Sequence, residues 1–370
     1  MKGWDVLLEQ LALAGDVVAG PAGGKTDREL AEGYRHLTRI FSIATEMLVE
    51  KGDPEHPGFT RWMTAHRKMY GDNPGTVYDA ALISASLVYV VRGHRGTSAY
   101  LGFCLYGTGA DGAKRIAGNL DDDKMSFGPD GSFELWLGGS SRPGNWLALD
   151  EDITEVMVRQ YFVDPLSERE ATYTIETVPS LGPPPPLSLS LVEARLEALG
   201  TYVRQTVEAE TTLSALSASI SQAVFRSGSE YVDAGGQPAD PPVDVSVVVR
   251  VMPTPAIQYS GQWFDDLRDD EALLVEGTVP TCRYWSIQLL TRFMESGDWE
   301  HHPVFLTGSD ISSEGGTFRA VIAHHDPGLP NWIATTGLTS ANVAVRALKA
   351  EGTLDVRFRR VRLPLEGEDA

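Results

Sequence analysis

Four of the chain's eight histidines fall in two short runs, Asp298-Trp299-Glu300-His301-His302-Pro303 and Ala323-His324-His325-Asp326-Pro327. An imidazole beside a carboxylate is the ordinary means of moving a proton near neutral pH. His324, His325 and Asp326, assisted by His301 or His302, are therefore the candidate catalytic group. In a strand over 318–325, His324 shares a face with Phe318, Ala320 and Ile322, and His325 points the other way. Two histidines and a carboxylate are also the minimum set for an open metal site. Adjacent strand histidines cannot both ligate one metal without a bulge, so no metal ligands are assigned. The plain alternative places these histidines in loops and on the surface.

Two arginines raise a second kind of chemistry. Arg159 in VMVRQYF and Arg346 in VAVRALK each interrupt an apolar strand. Such an arginine reaches the surface along its stem, pairs with a buried carboxylate, or holds an anionic ligand with its planar fork. Tyr100, Tyr284 and Trp285 stand at matched positions near strand starts, and Trp263 and Phe264 lie near a loop. Aromatic walls with a few polar groups suit a small organic ligand, and core packing explains the same residues. Arg346, Arg159, Tyr284, Trp285 and Tyr100 are the candidate ligand-binding residues.

Other chemistry is excluded by what the sequence lacks. There is no nucleophile elbow, P-loop or dinucleotide fingerprint in a strand-to-helix context, so no organic cofactor is expected. Asp121-Asp122-Asp123 lacks the alternating spacing of a calcium loop and reads as a solvated turn. His94 reads as part of a hairpin turn, and the basic run Arg357 to Arg362 as a sheet edge blunted by charge. With 31 basic and 51 acidic residues the net charge is −20, which argues against nucleic acid or an anionic membrane as partner. Two cysteines, Cys104 and Cys282, read as buried thiols and rule out a disulfide scaffold. Asp5 and Glu9 interrupt any secretory signal, and no window of about 18 apolar residues exists. A cytoplasmic protein with a small-molecule ligand is expected.

The elements that position these residues follow from periodicity. Thr26 to Glu29 has the capping-box pattern. Leu30, Tyr34, Leu37, Phe41, Ala44 and Leu48 then recur at helical spacing, stopped by Gly52 and Pro54. A shorter helix is predicted over Phe59 to Tyr70, with His66 on a partly exposed face. From Thr76 to Thr177, short runs rich in β-branched and aromatic residues predict a sandwich or barrel. Pro183 to Pro186 form a stiff linker. Val192, Leu196, Leu199, Val203 and Val207 line a second helical stripe, extended by Leu213, Leu216, Ile220 and Phe225. Asp233 to Pro242 reads as a loop, and strand texture returns from Val243 onward. The division is 1–71 helical, 72–182 first β unit, 187–228 helical, and 243–365 second β unit.

The two β regions resemble each other. Gly93, Tyr100, Phe103 and Leu105 match Gly277, Tyr284, Ile287 and Leu289 at an offset of 184. Gly131 and Phe133 match Gly316 and Phe318 at 185, Asn145-Trp146 matches Asn331-Trp332 at 186, and Arg159 matches Arg346 at 187. Such a drift is what small loop insertions produce in two copies of one unit. The Asn-Trp corners read as structural: Asn bonds its own turn, and Trp plugs the sandwich end. The fold class is mainly β with accessory helices: two related β-sandwich or jelly-roll-like units, a helical N-terminus and a mid-chain helical segment.

The runs DNPGTVYDAALISASLVYVVRG, DGSFELWLGG, NWLAL, VRQYF, YWSIQLL, DPGLPNW and VRAL resemble bacterial proteins grouped as domain-of-unknown-function family twelve-fourteen. The resemblance spans most of residues 72–348 and implies a β-sandwich or jelly roll with accessory helices. It implies no activity. The chain departs from the family pattern in carrying its own helical leader and mid-chain helices. Three functions are open. The first is a hydrolase or lyase acting on a small, partly apolar or anionic metabolite. The second is a non-catalytic β-sandwich that binds carbohydrate or lipid-like ligands. The third is a metal-dependent jelly-roll enzyme.

Overall fold

A computed structural model of the chain describes residues 2–108, 114–219, 223–226, 230–232 and 254–365. Ile220, the expected loop at 233–242 and the expected strand at 243–252 lie outside the described residues.

The N-terminal part is helical. α1 runs Lys2–Ala19 and α2 Asp27–Ala44, with a final widened turn at Thr45–Glu50. Thr26 caps α2 as expected, its Oγ1 accepting the Glu29 N–H at 3.2 Å. The expected stripe packs against the core through Leu30, Leu37, Phe41, Ala44 and Leu48, and the most deeply buried residues lie beside it. Gly33, His36, Ile40 and Ile43 face inward, while Tyr34 is half exposed. The apolar count along the helix hid this, because the centre of the deeply buried set is a charged histidine. Residues 59–70 are not a helix. Thr60–Arg61 form a short strand, β1, and turns follow. The strand's pairing with residues 79–80 satisfies the backbone groups that a helix would have satisfied internally.

The first β unit continues with β2 (Thr76–Leu82), β3 (Tyr89–His94), β4 (Tyr100–Thr108), β5 (Lys114–Asp121), β6 (Ser132–Leu137), β7 (Asn145–Leu147), β8 (Ile153–Tyr161) and β9 (Thr172–Thr177). The long helix α3 covers Leu189–Ser219. Phe225, expected to extend it, lies instead in β10 (Ala223–Arg226), which pairs with β11 (Glu230–Val232). The second unit follows: β12 (Ile257–Phe264), β13 (Glu271–Thr278), β14 (Tyr284–Leu290), β15 (Phe305–Thr307), β16 (Ser313–Glu314), β17 (Thr317–Ala323), β18 (Trp332–Ala334), β19 (Ala341–Leu348) and β20 (Val356–Arg362).

Both units are two-sheet sandwiches with one topology. Unit one pairs β1-β2-β8-β4-β5 in an inner sheet and β7-β6-β3-β9 in an outer sheet. Unit two has β12-β19-β14-β15 where unit one has β2-β8-β4-β5, and β17-β13-β20 where unit one has β6-β3-β9. Even the parallel pair recurs, β6 with β7 and β17 with β18. Alternation along the inner strands sends Val156 and Val158 into one sandwich core and Val343 and Val345 into the other. The residues between them, Met157 and Arg159, or Ala344 and Arg346, face out of the sandwich. On unit one that outer face is covered by the helices, through Leu7, Ile40, Ile43, Val203 and Val207. Where the helices stop, Tyr100 and Tyr161 of unit one meet Ile257, Tyr284 and Leu348 of unit two.

Candidate functional site

The two interrupting arginines come to the same place. Arg159 on β8 is paired across β2 with Tyr78, and Arg346 on β19 is paired across β12 with Tyr259. These matched Tyr–Arg pairs line a single cavity of about 150 Å³ between the units. Trp62, Tyr70 and Gly71 form one wall, Leu213 and Leu216 of α3 another, and Leu290, Met294, Asn342 and Ala344 a third.

The two guanidinium groups are held differently. Arg159 donates to the Tyr106 hydroxyl at 2.8 Å and lies within cation–π range of the Tyr78 and Tyr106 rings. Arg346 is 5% exposed, donates through Nη2 to the Gly71 carbonyl, and leaves Nε without a partner among the described residues. Its ring neighbour is Tyr259, 5.7 Å from the guanidinium. Among the described residues no carboxylate lies in ion-pair range of Arg346. A buried cation of this kind is costly unless something neutralises it. Burial pushes the Tyr78 hydroxyl's pKa up, against the pull of Arg346 and Arg159, so Tyr78 is a neutral hydrogen-bonding group here.

Gly71 makes the arginine's position possible. Its φ of +66° is open to glycine, and a Cβ there would lie 3.2 Å from Arg346 Nη2. Tyr70 beside it also has positive φ, at 52°. Such a turn persists only when its surroundings fix it. The Tyr70 N–H donates to Glu210 Oε1 at 2.5 Å, and the Gly71 N–H donates to the Met294 carbonyl at 2.7 Å.

Behind that turn lies a buried charge cluster that sequence reasoning missed. His36 is fully buried between two carboxylates, Nε2 on Glu210 and Nδ1 on Glu295 at 2.8 Å. Glu295 also accepts from Arg39 at 2.7 Å. Burial works against a charged imidazole, but the two carboxylates outweigh it and raise the pKa to about 10. Glu295 stays ionised below its usual range, because His36 and Arg39 together overcome its burial. The partners of His36 lie 174 and 259 residues away, so no local pattern reveals them.

The expected histidine group does not converge. The His324 ring bonds Thr335 Oγ1 and, at 2.8 Å, the Leu267 carbonyl, stapling two turns together just past the end of β17. His325 is exposed, 4.0 Å from Asp269, and Asp326 accepts the Gly328 N–H within its own turn. His301 and His302 are exposed in a separate surface cleft with Arg35, His66 and Lys68. There the hydrogen bond that the His301 ring donates to Asp298 raises the His301 pKa. None of these five residues lines the inter-unit cavity, and among the described residues no three His, Cys, Asp or Glu side chains group as a metal site requires. Tyr100 and Tyr284 pack in the contact between units, and Trp285 packs on Phe318 at 4.8 Å in the second core. Those three also stand away from the cavity walls.

Two further expectations are settled by hydrogen bonds. Trp146 Nε1 donates to the Gly138 carbonyl at 3.0 Å and Trp332 Nε1 to the Ala323 carbonyl at 3.3 Å, so both corners are structural. The Asp121–Asp123 turn is not a solvated one. Asp122 binds Arg95 and Arg283, Asp123 binds Arg283, and Lys349 reaches Asp121 at 2.8 Å. The run of like charges is stabilised because Arg283 and Lys349 of the second unit, with Arg95 of the first, supply the cations.

No protein-family model matches the chain, and no curated protein does. Among the described residues no helix is long and apolar enough to cross a membrane. Among solved structures, a protein of Vibrio parahaemolyticus matches at 12% identity and TM-score 0.45 over 92% of this chain and 96% of its own. An uncharacterised protein from Burkholderia cenocepacia is 30% identical, with TM-score 0.86 over 98% of this chain and 97% of its own. At that identity and coverage, the chain belongs to the same family as the Burkholderia cenocepacia protein.

Proposed function

We propose that the protein binds a small, partly apolar anionic metabolite in the cavity between its two β units, with Arg346 as the anchoring cation. The observation that carries this is the buried guanidinium of Arg346, which no described carboxylate neutralises. Aromatic and aliphatic walls with few convergent polar groups are the usual make-up of a small-ligand site. The non-catalytic version of the reading is favoured over hydrolase or lyase chemistry, because none of the expected acid–base residues lines the cavity. The sequence motifs support membership of family twelve-fourteen. Two free thiols, Cys104 and Cys282, each held by burial near pKa 11, support a cytoplasmic location.

Arg346→Met tests the reading. Methionine keeps much of the stem and removes the charge. The unliganded variant is expected to be as stable as the wild type or more so, by up to about 1–4 kcal/mol, because replacing a buried charge by an apolar side chain relieves desolvation. It is also expected to lose the rise in melting temperature that benzoate or acetate gives the wild type at fixed ionic strength. Equal shifts in both proteins would refute the anchor. A variant that is simply less stable would assign Arg346 the role of holding the Gly71 carbonyl.

A further inference from the structure

We infer that the ligand is a monocarboxylate with a compact aromatic or branched aliphatic body, seated head-first on Arg346; this rests on reading the cavity as an anion site. The first argument is charge. Arg346 presents one positive charge without a described carboxylate in range. Arg159 across the cavity is held by the Tyr106 hydroxyl at 2.8 Å and lies against the Tyr78 and Tyr106 rings, while the buried Glu155 on its strand face pairs with Lys114 at 3.7 Å. Arg346 is therefore the anchoring cation, and a single negative charge balances it. A dianion would overshoot it and carry a larger desolvation cost into the cavity.

The second argument is the polarity along β19. Arg346, Ala344 and Asn342 lie on one face of the strand, at a rise of roughly 7 Å for every two residues. Around Ala344 the walls become aliphatic: Leu213, Leu290 and Met294 pack with it, and Leu216 joins them. A carboxylate on Arg346 therefore directs its body into an apolar end about one ring-length away. The third argument is size and shape. A dry apolar cavity of about this volume is known to take a benzene ring. Tyr78, Tyr259 and Trp62 are the aromatic residues beside the arginines in its lining.

The test is titration calorimetry on the full chain at constant ionic strength, with acetate, phenylacetate, 4-methylpentanoate and inorganic phosphate. Each buried methylene is worth about fourfold in affinity, so phenylacetate and 4-methylpentanoate are expected to bind at least about tenfold tighter than acetate. Phosphate is expected to bind no better than acetate. Ala344→Phe fills the apolar end and is expected to erase the advantage of the larger acids while leaving acetate binding. Leu216→Phe, on the opposite wall, does the same should the strand variant fail to fold. Arg346-dependent phosphate binding tighter than any carboxylate, or no gain from the larger body, overturns the monocarboxylate class and leaves the anion site standing. Absence of Arg346-dependent binding by all four probes overturns both.

Discussion

His36 shows how one residue fixes the geometry of a site it does not touch. Its two ring nitrogens hold Glu210 and Glu295. Glu210 receives the Tyr70 N–H, and Met294, next to Glu295, receives the Gly71 N–H. The Gly71 carbonyl in turn holds Arg346. A carboxylate pair and a turn of positive φ are thus tied to one proton on His36. In the unfolded chain that proton leaves near pH 6.5, and in the fold near pH 10. The folded state binds it more tightly, so the stability it confers is complete below about pH 6.5 and is lost as pH rises to about 10. His36→Gln removes the cation between two buried carboxylates and is expected to cost about 3–5 kcal/mol at pH 6. Denaturant titrations at pH 6, 8 and 9.5 check this. The gap between wild type and variant should narrow with rising pH, and a constant gap would mean that His36 is neutral in the fold.

At the scale of elements, the repeat was legible because hydrogen bonds dictate residue type at its corners. Asn145 accepts the Ser126 N–H and donates to the Ser126 and Glu134 carbonyls. Asn331 accepts the Ser312 N–H and donates to the Ser312 and Arg319 carbonyls. Only a carboxamide supplies both donor and acceptor there, so asparagine stands in both copies while the surrounding apolar residues drift. Asn145→Asp keeps the acceptor and loses the donors, leaving two carbonyls unbonded. A loss of about 1–3 kcal/mol is expected, with a similar loss for Asn331→Asp, read from melting in denaturant. Unequal losses would mean that the corners are alike in form but not in load. The same logic explains what was not legible. Residues 59–70 carry an apolar spacing that suits a helix, yet β1 pairs with β2 and Trp62 N–H bonds the Tyr78 carbonyl. Partners from elsewhere in the chain decided those elements. The cavity was half legible: Arg159 and Arg346 stood out as charges in apolar strands, but their aliphatic counterpart comes from α3 and the end of β14, where leucine reads simply as core.

Over the whole molecule, duplication explains why a cavity exists at all. Each sandwich closes its own core and leaves the outer face of its inner sheet to be covered. The helices cover most of unit one's face, and the two faces meet at the tyrosine cluster around Tyr161 and Tyr284. The Arg–Tyr pair that each copy carries on that face is brought to one site by the meeting. Among the described residues three kinds of contact hold the units in that relation: the apolar cluster, the charged one in which Arg283 and Lys349 of unit two grip Asp121, Asp122 and Asp123 of unit one, and hydrogen bonds from Tyr284, Gln288 and Ser296 to Asn73 and Asp72 and from Ser309 to the Val163 carbonyl. Asp121 and Asp122 are nearly buried, with side chains 7% and 4% exposed, so removing both cations leaves Asp121 without its cation out of water, with Arg95 still on Asp122. The wild type is therefore expected to unfold in one transition, with tryptophan fluorescence and far-UV circular dichroism coincident. Arg283→Met with Lys349→Met is expected to separate them, unit two melting at a different denaturant concentration from unit one. Coincident curves in the double variant would show that the tyrosine cluster and the hydrogen bonds to Asp72, Asn73 and Val163 couple the halves without the charged contact. Separate transitions already present in the wild type would show that none of these contacts couples the halves, and that the inter-unit cavity is lost with the first sandwich to unfold.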